Sequence, residues 1–230
     1  MKMNEYGRSM IEMLGVLAII GVLTVGGIAG YTKAMNRYRL NETEKQITSI
    51  VANIRTLYLQ QTSYNGLNNL SAVKSEIVPQ EMVDKNSEGK LTNIFGGDVY
   101  IGSGNIGQGV SKIKNDKKTF LLEFTGLSRS ACVALASNDW GAGSSGLMGI
   151  KVSGTTKKSA SESTVESVAD ITEIQFQKNG ASCDGKNASQ GLMIACAGGQ
   201  KSNLPITKAQ AAIACGCGST NGCSIVWKYF

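Results

Sequence analysis

Residues 6–33 read YGRSMIEMLGVLAIIGVLTVGGIAGYTK, and the fold turns on this stretch. From Met13 to Tyr31 no side chain is charged, yet Glu12 stands at the front edge of the run. About 19 apolar residues at about 1.5 Å each nearly span the hydrocarbon core of a bilayer. The polar lead MKMNEYG is short, and no Ala-x-Ala site follows the run, so it reads as a retained anchor rather than a removed signal. Gly15, Gly21, Gly26, Gly27 and Gly30 lie within it. In water each glycine costs a helix about 1 kcal/mol relative to alanine. In lipid or in a bundle they permit close backbone approach, and Gly26 and Gly30 form a small-xxx-small pair. A plain anchor explains all of this except Glu12. A lone carboxylate near a membrane interior costs up to about 3 kcal/mol and normally has a partner.

The helix continues past the apolar run. Leu40, Ile47, Ile50, Val51, Ile54, Leu57 and Tyr58 recur at spacings of three and four, with Asn41, Glu42, Glu44, Lys45 and Arg55 between them. That is one apolar stripe on a helix with a wet back. No proline interrupts residues 1–78, and the expected stop is SYNG, with Gly66 in a left-handed position. The whole element would be about 55 residues, or roughly 80 Å. A head of this size cannot bury such a rod, so its first half must protrude.

Gly7 followed by RSMIEMLGVLAIIGVL resembles the leader-and-helix motif of the type IV pilins. The resemblance implies cleavage by a prepilin peptidase after Gly7, leaving Arg8 as the mature N-terminus, which the family methylates. It also implies a role for Glu12, which would pair with the new α-amino group of a neighbouring subunit during assembly. Cleavage creates a cation at the edge of the apolar zone, and the carboxylate supplies its counter-charge. Arg8 departs from the Phe, Met or Leu that the family usually places after the cut. The apolar half also lacks a helix-kinking proline, which resembles the type IVb branch, with Gly26-Gly27 as the natural weak point.

The remainder reads as an α+β head. Residues 67–92 form a polar, turn-rich connecting region with a short helical piece. Strand candidates are Asp98–Ile101, Thr119–Phe124, Leu147–Val152, Ile171–Gln177 and Ser224–Phe230. SRSACVALAS is a short helix capped by Ser128 or Ser130. PITKAQAAIAC is another, with Pro205 early and Thr207 as its cap. NIFGGD, FLLEFTGLSRSACVALAS and the closing helix-cysteine-strand are similar to the type IVb head, while residues 141–200 match nothing in it. The resemblance pairs Cys132 with Cys215. Sequence neighbours suggest Cys183–Cys196 across a hairpin and Cys217–Cys223 around GSTNG.

Composition narrows the function. All six cysteines lie beyond residue 130, which suits an oxidising compartment, and histidine is absent. The rival for Cys215, Cys217 and Cys223 is zinc, but Cys-x-x-Cys spacing is missing. The net charge of +6 is spread out. Lys112, Lys114, Lys117 and Lys118 have no interleaved aromatics and read as solvated loop rather than a nucleic-acid patch. GSGNIG, from Gly102 to Gly107, satisfies the dinucleotide pattern but is followed by QGVSKIKNDKK and a strand, too short for a crossover helix. It reads as a glycine-rich turn, so no cofactor or metal is expected.

The expectation is therefore a non-enzymatic α+β protein. Residues 1–7 are the leader, 8–31 the apolar half of the helix, 32–66 the amphipathic half, 67–92 the connecting loop and 93–230 a disulfide-bonded antiparallel head. Its expected function is a type IV pilus subunit, inserted in the inner membrane of a Gram-negative bacterium and polymerised into a surface filament for adhesion, aggregation or contact with DNA or phage. Expected partners are other pilin subunits, the prepilin peptidase and the inner-membrane assembly machinery. A minor pilin or a secretion pseudopilin is the alternative within this class. A signal-anchored periplasmic binding protein or enzyme is the alternative outside it.

Overall fold

The computed structural model describes residues 6–104, 117–141, 145–153, 192–196, 204–217 and 222–230. The chain divides into two compact units, Met1–Asn41 and Glu42–Phe230, and one helix, α1 (Tyr6–Tyr58), runs through the division. In the second unit α1 is followed by α2 (Asn69–Lys74), a 3-10 turn (Gln80–Met82), β1 (Leu91–Thr92), β2 (Asp98–Gly104), β3 (Thr119–Leu127) and α3 (Arg129–Ala136). Then come β4 (Leu147–Ser153), β5 (Leu192–Cys196), α4 (Lys208–Ala214) and β6 (Cys223–Tyr229). The strands form one sheet in the order β1-β2-β3-β6-β4-β5, with every pair antiparallel.

Within the second unit, α1 buries Ile47, Ile50, Val51 and Ile54, as the three-four spacing requires. One stripe assignment differs, and two polar residues outside the stripe are buried with it. Leu57 is 47% exposed, while Thr43 and Gln46 are buried on the same side as the isoleucines. The helix also ends at Tyr58 and not at Gly66. The cause is tertiary. Tyr64 packs 5.2 Å from the Tyr58 ring and edge-on at 4.9 Å to Phe120, and its backbone N–H donates to the Lys117 carbonyl at 2.7 Å. These contacts turn the chain before any helix-breaking residue is reached. Gly66 does adopt a left-handed φ of +83°, within the loop that follows.

The sheet face carrying Ile101, Phe120, Leu122, Phe124, Ile225 and Trp227 is fully buried. Phe120 stacks on Tyr229 at 5.2 Å, and Trp227 meets both Phe124 and Trp140 edge-on. Arg55 of α1 lies over the Tyr229 ring at 5.2 Å and donates to the Ser145 carbonyl, tying the helix to the start of β4. Burial pushes the Tyr229 hydroxyl up to about 12, with the Arg55 charge opposing.

β2 extends beyond Ile101 to Gly104, so Gly102–Gly104 of GSGNIG are strand and not turn. They pair with Leu121, Phe120 and Thr119. A Cβ on Gly104 would lie 2.7 Å from Thr119 Oγ1 and 2.8 Å from Leu121 Cδ1, so close packing explains glycine there. On β2, β1 pairs with Val99 and Asp98, and Asn69 finishes the edge. Its Nδ2 donates to the Val99 carbonyl at 2.9 Å, and its Oδ1 accepts from the Ile101 N–H at 2.7 Å. An edge clamped this way offers fewer free groups to another strand.

β1 and β5 were not expected from the sequence, and the candidate Ile171–Gln177 lies outside the described residues. Both anticipated short helices form. Ser128 caps α3 by accepting from the Ala131 N–H, and Thr207 with Gln210 makes a reciprocal capping box on α4. Pro205 precedes that cap instead of entering the helix.

On the second sheet face the register aligns Tyr100, Glu123, Val226 and Lys151 in one row. Glu123 is half-buried, and desolvation pushes its carboxyl up to about 7 against the pull of Lys151 and a hydrogen bond from Ser224. The native state therefore holds a proton between about pH 4.5 and 7 that the unfolded chain releases. Stability falls as pH rises through that window and levels above it. Glu123→Gln should flatten this slope and raise stability above pH 7 by up to about 3 kcal/mol. Urea midpoints measured from pH 4.5 to 8 check this, and an unchanged slope in the variant contradicts it.

Candidate functional site

In the first unit α1 is exposed from Met10 to Ala34. Ile11, Leu14, Leu17, Val22, Leu23 and Val25 each show 60% or more of their surface. The most apolar 18-residue window of α1 has a mean hydropathy of 2.2, and none of it is buried. Apolar side chains point in every direction, so one docking face cannot satisfy this segment. Each exposed aliphatic side chain gains about 1.5–3 kcal/mol on burial, on the order of 20 kcal/mol or more from Met10 to Ile28. Lipid or like helices must surround it.

Three local details fit such surroundings. Thr24 turns its hydroxyl back onto the Ile20 carbonyl at 2.7 Å and presents no unsatisfied donor. A Cβ on Gly15, Gly21, Gly26, Gly27 or Gly30 would meet nothing within 4 Å, so packing inside this chain does not explain the glycines. Glu12 is exposed, and no ion pair to it occurs among the described residues. Its carboxylate thus stands exposed at the start of an apolar surface. Gly7 and Arg8 lie in the opening turn of α1, on the Glu12 side of the apolar run.

The head supplies a second functional element, its covalent closure. α3 and α4 are held together by Cys132–Cys215, with Cα atoms 5.9 Å apart, and by Arg129 donating to the Ala212 carbonyl at 3.3 Å. Cys217 bonds to Cys223 at the start of β6, with Cα atoms 5.3 Å apart. The sulfurs of Cys215, Cys217 and Cys223 are thus committed in pairs, leaving no thiolate for the zinc alternative. Cys183 lies outside the described residues, so the suggested Cys183–Cys196 pairing does too. Ahead of β6, Gly97, Gly126 and Gly222 stack backbone against backbone. A Cβ on Gly126 would lie 2.7 Å from the Gly97 Cα, and one on Gly222 would lie 2.8 Å from the Gly126 carbonyl carbon. This close approach sets Cys223 opposite Leu127 across the shift in the β3–β6 register. The glycines carry that signal in the sequence, but only the strand pairing reveals it.

The sequence matches the family described as Bundlin over residues 33–190. Two curated relatives are described as the major structural subunit of bundle-forming pilus, from Escherichia coli O127:H6 (strain E2348/69 / EPEC) and Escherichia coli O111:H-. Each is 28% identical to this chain over 182 residues, covering 79% of it and 89% of the relative. Among solved structures, a type IV pilin from Vibrio cholerae El Tor biotype is 15% identical, with a TM-score of 0.48. That likeness covers 84% of this chain and 99% of the other.

Proposed function

This chain belongs to the Bundlin family, and from that premise we infer that it is a structural subunit of a type IV pilus, assembled with other pilin subunits into an extracellular filament. Membership implies a structural rather than a catalytic role. The observation that carries the reading is the wholly exposed apolar half of α1, with its glycines unexplained by packing inside the chain. Helices of this kind have two stable environments. One is the bilayer before assembly, and the other is a bundle of identical helices afterwards.

The route between them follows from the residues. The precursor resides in the inner membrane through residues 8–31, and a prepilin peptidase cuts after Gly7. A glycine at the cut leaves the backbone unobstructed and eases local unwinding of the first turn. The new α-amino group of Arg8, methylated or not, then sits at the edge of the apolar zone. Glu12 of a neighbouring subunit neutralises it and fixes register, while the assembly machinery of the inner membrane lifts the subunit out of the bilayer. Residues 32–58 connect this shaft to the head, whose surface is available for adhesion or aggregation.

The mature chain should begin at Arg8. Intact-protein mass of assembled material should lack residues 1–7, a loss of one lysine and one glutamate that leaves the net charge unchanged. An intact leader on assembled subunits, or a cut near residue 30, contradicts this route.

A further inference from the structure

The two disulfides among the described residues of the head are neighbours that differ in access. Cys132, Cys215 and Cys223 have no exposed surface, and their three sulfurs lie within 4.8 Å of one another. Cys217 is only half-buried and carries the other end of the Cys217–Cys223 bond. Its sulfur lies 3.6 Å from the Cys215 carbonyl oxygen, which places the outer end of this bond beside the buried pair. A reagent arriving from solvent meets Cys217 first. Behind it, Cys223 is the sulfur that adjoins the buried pair.

We infer that Cys217–Cys223 is an exchange relay through which the buried Cys132–Cys215 bond is made and broken. Disulfides exchange by attack of a thiolate on a disulfide sulfur, and access selects the sulfur attacked. In the reducing direction a thiolate of an external dithiol attacks Cys217 Sγ and expels Cys223 as thiolate. Cys223 then attacks Cys132 or Cys215, breaking their bond, forming one new bond and releasing the other cysteine as a thiolate that takes a proton from water. The second thiol of the dithiol resolves its mixed bond to Cys217. The freed Cys217 thiolate attacks Cys223 Sγ, breaks its bond to the buried cysteine, restores Cys217–Cys223 and releases that cysteine as a second thiolate, which also takes a proton from water. Two electrons have passed from the dithiol to Cys132 and Cys215. The oxidising direction runs the same steps backwards from a disulfide-bearing oxidant. The relay lets the bond between α3 and α4 close after those helices have packed, when no oxidant reaches it directly.

The full chain in detergent with Cys217→Ser tests this, because it leaves Cys223 as a thiol beside the intact buried pair. The relay predicts that this thiol wanders. After an acid quench, alkylation and peptide mapping should find label on Cys132 or Cys215 as well as on Cys223. Label confined to Cys223 overturns the proposal. A second measurement does not rely on that variant folding. Unmodified protein treated with limiting dithiothreitol should yield peptides joining Cys223 to Cys132 or Cys215, and their absence overturns the proposal. With Cys217→Ser/Cys223→Ser, opening of Cys132–Cys215 by dithiothreitol should slow by about tenfold or more. An equal rate counts against the relay.

Discussion

Cells whose only copy of this chain carries Glu12→Leu should make, insert and cleave the precursor, yet show no filaments. The substitution removes the one charge next to the apolar run and leaves Gly7 untouched, so insertion should be at least as good as before. What it removes is the counter-charge for the amine exposed by cleavage. An incoming subunit then brings its cation into an apolar bundle unpaired, a loss of about 3–5 kcal/mol when one member of a buried pair is deleted. In a filament the loss recurs at every subunit, so assembly fails altogether rather than slowing. Coexpression with unmodified subunits should restore some filaments, because each pair draws one group from each of two chains. Electron microscopy of the cell surface with immunoblotting of membranes separates the outcomes. Loss of the precursor from membranes would point to misinsertion instead.

The second large effect concerns the head. Cys132–Cys215 closes a separation of 83 residues, and the chain-entropy model assigns such a loop roughly 4.5 kcal/mol. Cys217–Cys223 closes only 6, which is worth about 2 kcal/mol. Whole domains are stable by about 5–15 kcal/mol, so the first loss is a large share and the second is tolerable. Cys132→Ala/Cys215→Ala should therefore lower the denaturant midpoint far more than Cys217→Ala/Cys223→Ala. Paired substitution keeps a leftover thiol from rearranging the remaining bonds. Denaturation of the full chain in detergent, followed by tryptophan fluorescence from the buried Trp227, reads both. Equal losses, or the reverse order, would show that loop size does not govern closure of the head.

The halves of α1 were legible because each has its own pattern. Absence of charge from Met13 to Tyr31 signals an all-round apolar helix, and the isoleucines at 47, 50 and 54 signal a one-sided one. Caps at Ser128 and Thr207 were legible because capping is local chemistry. Features made by distant partners were not. The helix stops at Tyr58 because Tyr64 packs on Phe120, far along the chain. Thr43 and Gln46 are buried by position and not by polarity, while Leu57, though apolar, is turned outward. β1 and β5 are short, and little in either marks it as strand before its neighbour is known. Glu123 carries a local signal of its own. A carboxylate inside FLLEF, a run apolar at both alternations, marks a strand covered on both faces with one titrating group between them. For assembly, the sequence names Gly7, Arg8 and Glu12. The fold adds the exposed apolar surface that follows them.

We infer that residues 8–31 are the packing core of a polymer. Electron cryomicroscopy of filaments sheared from cells that express this chain tests it most directly, with subunit identity fixed by mass spectrometry. The account predicts filaments composed of this chain, with the helices of residues 8–31 bundled at the axis, heads outside, and Glu12 of one subunit against the amine of Arg8 in another. Filaments lacking this chain would contradict it, as would filaments whose subunits meet only through their heads with the apolar helices left outside the core.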